Sequence, residues 1–244
     1  MKYFCCIIIV LGAMMPAFAA EVSMDFSIYS AYVWRGIILN DGSVFQTSVT
    51  LSEHGFSANV WANVDLTDAN DLRGNVTEID YTFTYAKEME KVNITGGVIA
   101  YTFLHVDADA TTEVFAGVSF NTILNPSVMV YWDVDEVHGV SVIFSASHTF
   151  KLFKEELSDG LTLKANLGYS SAKFVEGNFV YENPGTRFSD YSLQASLPIT
   201  LPKGTLNLTA SYSDLIDSEL HTPGYEDDDS YFVVGAMYAL GWGS

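Results

Sequence analysis

From Glu21 onward the chain alternates apolar and polar residues in segments of about ten, the length of a strand tilted across a bilayer, separated by Asn, Asp, Gly and Pro. A period of two marks a strand whose two faces meet different surroundings. The last segment is the clearest: Phe232, Val234, Ala236, Tyr238, Leu240 and Trp242 form one apolar row. Twelve such segments centre on 22–34, 44–52, 56–65, 77–86, 92–103, 112–121, 127–134, 140–150, 161–171, 188–197, 205–214 and 230–242. No helical stretch stands out. No apolar run after residue 20 approaches the roughly 20 residues that a membrane helix requires.

Two phases run through the segments. Phe26, Ile28, Val49, Leu51, Val60, Phe83, Phe144, Leu163 and Leu208 belong to the apolar one, and Ser27, Gln46, Ser48, Asn63, Thr82, Asn166, Gln194 and Asn207 to the polar one. In water the apolar phase would fill a sandwich; in lipid it would face outward and the polar phase would line a lumen. The connections favour lipid. Tight or basic turns follow the even segments (53–55, 87–91, 121–126, 151–160, 202–204), and longer acidic loops follow most odd ones (65–75, 104–110, 133–139, 175–187, 215–229). An even strand number, with both termini beside the short turns, is the pattern of an outer-membrane barrel. The expected fold is therefore all-β: a closed antiparallel transmembrane barrel of about 12 strands. A soluble β-sandwich is the alternative. The barrel phase predicts that Asp133 faces the lumen and Trp132 the lipid, and the reverse would put the register one residue out.

The N-terminus agrees with export. Lys2, the apolar stretch from Phe4 to Met15 and Ala17-Phe-Ala19 read as a cleaved signal over residues 1–20, leaving 21–244 as one barrel domain in the bacterial outer membrane. Both cysteines, Cys5 and Cys6, lie inside that signal, so the remainder has no thiol for a disulfide, a nucleophile or a thiolate metal site. The whole chain carries 30 acidic against 11 basic residues, a formal charge of −19. Nucleic acid is excluded as a partner by that balance. The expected surroundings are outer-membrane lipid and lipopolysaccharide, and the oligomeric state is left open.

Two short elements carry a family resemblance. Tyr32-Val-Trp-Arg-Gly-Ile37, read as the end of the first strand, resembles the Tyr-x-aromatic-Arg-Gly element of the TorF-type porin family of proteobacterial outer-membrane proteins. Tyr131-Trp-Asp-Val-Asp135, with Gly139 after it, is similar to that family's mid-chain aromatic-aspartate turn. The resemblance implies a barrel and passive permeation, and it carries no catalytic residues.

Arg35, Asp65, Glu78, Asp80, Glu113, Asp133 and Asp190 share the inward phase, at strand ends that border long loops. Two readings are open. A ring of carboxylates would favour cations at the mouth, or Arg35 and neighbouring polar groups satisfy these acids in a lumen filled by side chains, among them Trp61, Phe115 and Tyr131. The runs His105-x-Asp107-x-Asp109, Asp133-x-Asp135-Glu136-x-His138 and Glu226-Asp-Asp-Asp229 are the places where a hard divalent cation such as calcium could bind, but the first two lack the glycine and twelve-residue spacing of a calcium loop, and solvated acidic loops are the better reading. No cofactor is expected otherwise.

Catalysis is not expected. Ser145 and Ser147 face inward while His148 faces lipid, and alternation keeps a nucleophile from its base. His148 belongs instead with Phe150 and Phe153 in an interfacial girdle. The sequence therefore points to a porin-like passive channel for ions or small polar solutes with a preference for cations. A plugged barrel with a structural or surface-interaction role is the alternative.

Overall fold

The computed structural model describes residues 20–152, 156–181, 183, 185–225 and 230–242. Residues 1–19 of the expected signal segment, Phe153 and the acidic run 226–229 lie outside the described residues. In chain order the elements are β1 (Glu21–Tyr29), β2 (Tyr32–Trp34), β3 (Ile37–Asn40), β4 (Val44–Glu53), β5 (Phe56–Asp65), β6 (Val76–Glu88), β7 (Val92–Phe103) and β8 (Thr111–Phe120). They continue with β9 (Ser127–Asp133), β10 (Val140–Phe150), β11 (Leu161–Ser170), α1 (Ala172–Asn178), β12 (Val180–Tyr181), β13 (Arg187–Leu201), β14 (Gly204–Leu215), β15 (Leu220–His221) and β16 (Ser230–Trp242).

Twelve of these strands close into an antiparallel barrel, each paired with its neighbours in the chain order β1, β4 to β11, β13, β14 and β16. The seam is β1, which pairs with β4 from Glu21↔Ser52 to Tyr29↔Val44 and with β16 from Val22↔Trp242 to Tyr29↔Gly235. Closure leaves no strand edge, so the wall pairs its backbone groups without water, as a lipid environment demands. Of the expected twelve segments, eleven match barrel strands within a few residues at either end.

The phase is as expected. Phe26, Ile28, Val49, Leu51, Val60, Phe83, Phe144, Leu163, Leu208 and Phe232 are exposed on the outer face, while Ser27, Gln46, Ser48 and Asn63 are buried inside. Trp132 is 50% exposed and its neighbour Asp133 only 3%. Inside, polar side chains bridge adjacent strands: Ser145 donates to Asn166, Asn166 to Ser192, and Ser196 to Asn207. Ser48 likewise donates to Asp25 across β4 and β1.

Three features depart from the sequence reading. The first segment, taken as 22–34, leaves the barrel at Tyr29; residues 32–34 pair with β3 in a separate two-stranded hairpin. Arg35 is therefore not on a barrel strand at all, but in that hairpin's turn. The chain also contains a helix, α1, begun by Ser171, whose hydroxyl accepts from the Phe174 N–H as an N-cap. Finally, the β11–β13 register shifts between Leu167 and Tyr169, a bulge that turns both Ser189 and Asp190 to buried positions.

The register makes adjacent residues of β10 opposite tests. Near its middle, Phe144 faces outward and Ser145 faces the lumen. Phe144→Arg should lower the stability of the barrel refolded into lipid vesicles by about 2–4 kcal/mol, the cost of a lipid-facing charge near the midplane. Ser145→Arg should cost far less in the same denaturant titration, and equal losses would contradict the assigned register.

Candidate functional site

The loop from β1 to β4 folds inward as the β2–β3 hairpin. Its turn is Arg35-Gly36, with φ of 49° and 81°, between the paired residues Trp34 and Ile37. Two-residue hairpin loops with positive φ at both positions match the strand twist and favour Asn or Gly. An arginine there costs about 1–2 kcal/mol in backbone strain, so its side chain must return that elsewhere. Gly36 is required by packing as well: a Cβ on it would lie 2.6 Å from the Asp190 Cβ of β13.

The hairpin thus crosses the long-loop end of the lumen from the β1/β4 wall. Tyr32 packs on Trp61 of β5 at 5.7 Å between ring centroids and donates its hydroxyl to Glu78 of β6 at 3.1 Å. Burial, with Glu78 and Asp80 nearby, pushes the Tyr32 phenol well above its ordinary pKa and keeps it a donor. Trp34 meets Tyr101 of β7 edge-on at 6.1 Å and Phe174 of α1 at 5.9 Å.

Arg35 closes the contact. Its guanidinium forms a bidentate pair with Glu113 of β8, Nη1 to Oε1 at 2.8 Å and Nη2 to Oε2 at 2.7 Å. The Tyr101 hydroxyl donates to the same Oε2 at 2.8 Å. The guanidinium also lies 4.1 Å from the Tyr131 ring centroid and 4.4 Å from that of Trp34. Its side chain is 8% exposed. Burial opposes the charge, but the hydrogen bonds and charge of Glu113 outweigh that and raise the Arg35 pKa.

Behind the hairpin, Ile37 packs with Phe174, Val175, Phe179, Leu215 and Leu220 in a small apolar core shared by the loops. α1 approaches the β9–β10 loop so closely that a Cβ on Gly139 would lie 2.5 Å from the Phe174 backbone nitrogen. Residues 32–37 and 131–139 therefore meet in space: Arg35 lies over Tyr131, and Gly139 admits the helix that packs on Trp34.

The seven expected mouth residues reach this end of the barrel in different states. Glu113 is neutralised by Arg35. Asp133 organises its own loop: Oδ1 accepts the N–H groups of Asp135, Val137 and His138, and Oδ2 accepts from Thr111 at 2.6 Å. Asp190 accepts from Ser189 at 2.7 Å beneath Gly36. Asp65, Glu78 and Asp80 make no ion pair among the described residues; Asn63 donates to Asp65 at 3.0 Å and Tyr32 to Glu78. Tyr32, Trp34, Gly36, Tyr101 and Phe174 were not among the expected site residues. The turn-forming Arg-Gly pair followed by the unalternating Ile37-Ile38-Leu39 was the signal for the hairpin.

The other candidates separate. Among the described residues no three Asp, Glu or His side chains converge as a metal site, and the third acidic run, 226–229, lies outside them. His148 bonds to the Ile123 carbonyl at 2.7 Å and packs edge-on against Phe150, while Ser145 serves Asn166.

A buried pair contributes little over an apolar replacement, but removing one partner strands the other charge at about 3–5 kcal/mol. Arg35→Met should therefore undock the hairpin, and hydrogen exchange followed by mass spectrometry should show at least a hundredfold loss of amide protection over residues 32–40. Unchanged protection would mean that the apolar core alone holds it.

No protein-family model matches the sequence, and no curated protein aligns with it significantly. Among solved structures, the chain is similar to the NanC porin, with a TM-score of 0.51 and 11% identity over 91% of this chain and 99% of that one. It is also similar to the COG4313 outer-membrane channel from Pseudomonas putida F1, with a TM-score of 0.52 and 9% identity over 93% and 97%. At such identities the likeness is one of fold: this chain has the closed barrel architecture found in outer-membrane channels.

Proposed function

We propose that this protein is a narrow, porin-like channel of the bacterial outer membrane that passes ions or small polar solutes, favours cations, and has its path set by the β2–β3 hairpin. The observation that carries this reading is the charge balance at the hairpin. The one guanidinium that reaches the lumen acids is committed to Glu113, while Asp65, Glu78 and Asp80 keep no ion-pair partner among the described residues. Surplus carboxylates beside a constriction lower the barrier for positive charge and raise it for negative charge. The channel architecture of the similar folds supports the class of function, and the TorF-type resemblance of residues 32–37 and 131–139 is consistent with it.

A second reading rests on the apolar core behind the hairpin. If Ile37, Phe174, Val175 and Leu220 hold it immovably across the lumen, the barrel is plugged and its long loops serve a structural or surface role.

Planar bilayers separate the two. The channel reading predicts a small, stable conductance with a cation-to-anion permeability ratio above one in a potassium chloride gradient. The triple variant Asp65→Asn, Glu78→Gln, Asp80→Asn should bring that ratio several-fold closer to one. Anion preference would sink the cation reading, and silence of the folded wild type would establish the plug.

A further inference from the structure

Below the hairpin the inward phase of the barrel strands sorts into two unlike walls. On β7 to β10 it carries Ile99, Phe115, Met129 and Ile143. On β10 to β14 it carries hydroxyls and amides, bridged between strands from Ser145 through Asn166 to Ser192 and from Ser196 to Asn207. Lys164 of β11 stands in the second wall. Two residues from Asn166, and paired in register with Ser147 of β10 and Gln194 of β13, it shares their inward face. Its neighbour Leu163 is exposed on the outer face.

Among the described residues Lys164 is the one basic side chain that a barrel strand contributes to the lumen below the mouth. Lys87 of β6 pairs with Ile94 on the outer phase, and Arg187, at the loop end of β13, is held by Asp217. Lys164 is also uncommitted. Arg35 is buried against Glu113, whereas Lys164 is exposed and makes no ion pair or hydrogen bond among the described residues. The inward positions around it on β10, β11, β13 and β14, from 141 to 149, 162 to 170, 192 to 200 and 205 to 213, hold no carboxylate. Between the mouth and the periplasmic rim the inward acid is Asp25 of β1, which accepts from Ser48 and is separated from Lys164 by β13, β14 and β16. The lower lumen thus presents one positive and one negative group on different parts of its wall, and the chain does not pair them.

That separation decides which solute is suited to the whole path. A simple anion is repelled at the acidic mouth, and a simple cation is opposed at Lys164. A small solute that carries both charges has no net charge for either barrier to act on, and each of its ends meets a group of opposite sign. The apolar wall of β7 to β10 offers a carboxylate no alternative partner. We infer that Lys164 is a specificity-determining residue of the lumen and that the barrel passes small zwitterions carrying an ammonium and a carboxylate, the carboxylate drawn to Lys164 and the ammonium to Asp25 and the mouth acids. This rests on the channel reading above and adds to it a class of solute.

The test compares uptake of radiolabelled free glycine with that of glycolamide, an uncharged solute of the same size, into vesicles carrying the full barrel, corrected for vesicles without protein. The wild type should pass glycine several-fold faster than glycolamide. Lys164→Gln should lower that ratio about fivefold, the loss of one charge-assisted contact, and Lys164→Arg should keep it. In a potassium chloride gradient the same Lys164→Gln barrel should show a cation-to-anion permeability ratio raised about two- to threefold, because a positive charge has left the path. A change of pore width alone would not produce both effects and spare the arginine variant. A wild type that passes glycolamide as fast as glycine, or a glycine preference indifferent to Lys164→Gln, would overturn the inference and leave the channel reading standing. A folded wild type that passes neither solute would remove both. Anion preference in bilayers together with glycine uptake that depends on Lys164 would remove the cation reading and keep this one.

Discussion

A guanidinium carried into the interior of a barrel must find a carboxylate, and the bidentate pair between Arg35 and Glu113 is the contact around which this end of the molecule is arranged. The pair demands a hairpin long enough to cross the lumen, a turn with positive φ at its tip and a glycine beside it where Asp190 leaves no room. It also demands rings to enclose it, which Trp34, Tyr101 and Tyr131 provide. Neutralising Glu113 has a further consequence. Asp65, Glu78 and Asp80 are left without an ion-pair partner among the described residues, and the proposed cation preference rests on them.

The wall of the barrel follows from a different constraint. Backbone groups in contact with lipid must be paired within the protein, and a strand wall achieves this only when closed. Period-two alternation is the sequence record of that situation. It reports two unlike environments on either side of a chain segment, which is why the strand limits, the outward row ending at Trp242 and the inward position of Asp133 were all legible. The loop asymmetry then separated barrel from sandwich.

What alternation does not report is which sheet a strand joins. Tyr32, Val33 and Trp34 continue the rhythm of β1 without interruption, and only the three-dimensional path shows that Ser30 and Ala31 carry them out of the wall. The inward position of Arg35 was foreseen, but for a reason that the structure replaces. It arrives by a turn, not by the phase of a barrel strand. Similarly α1 spans seven residues, fewer than two full helical periods present to a pattern search, and it is stabilised by packing of Phe174 and Val175 on partners far away in the chain. The candidate acids were legible as a set, and their division into an ion-paired Glu113, a loop-organising Asp133, an Asp190 held by Ser189 and a trio without ion pairs among the described residues was not, because it depends on which donors the folded loops bring near.

The most direct test of the account is exchange of the two charges, read as single-channel current. Arg35→Glu and Glu113→Arg each place like charges face to face, and each alone should release the hairpin and raise the conductance several-fold above that of the wild type. The double variant restores an opposite pair across the same gap and should return the current toward the wild-type level. Single variants that conduct like the wild type, or a double variant no closer to it than either single one, would contradict the central place given to this ion pair.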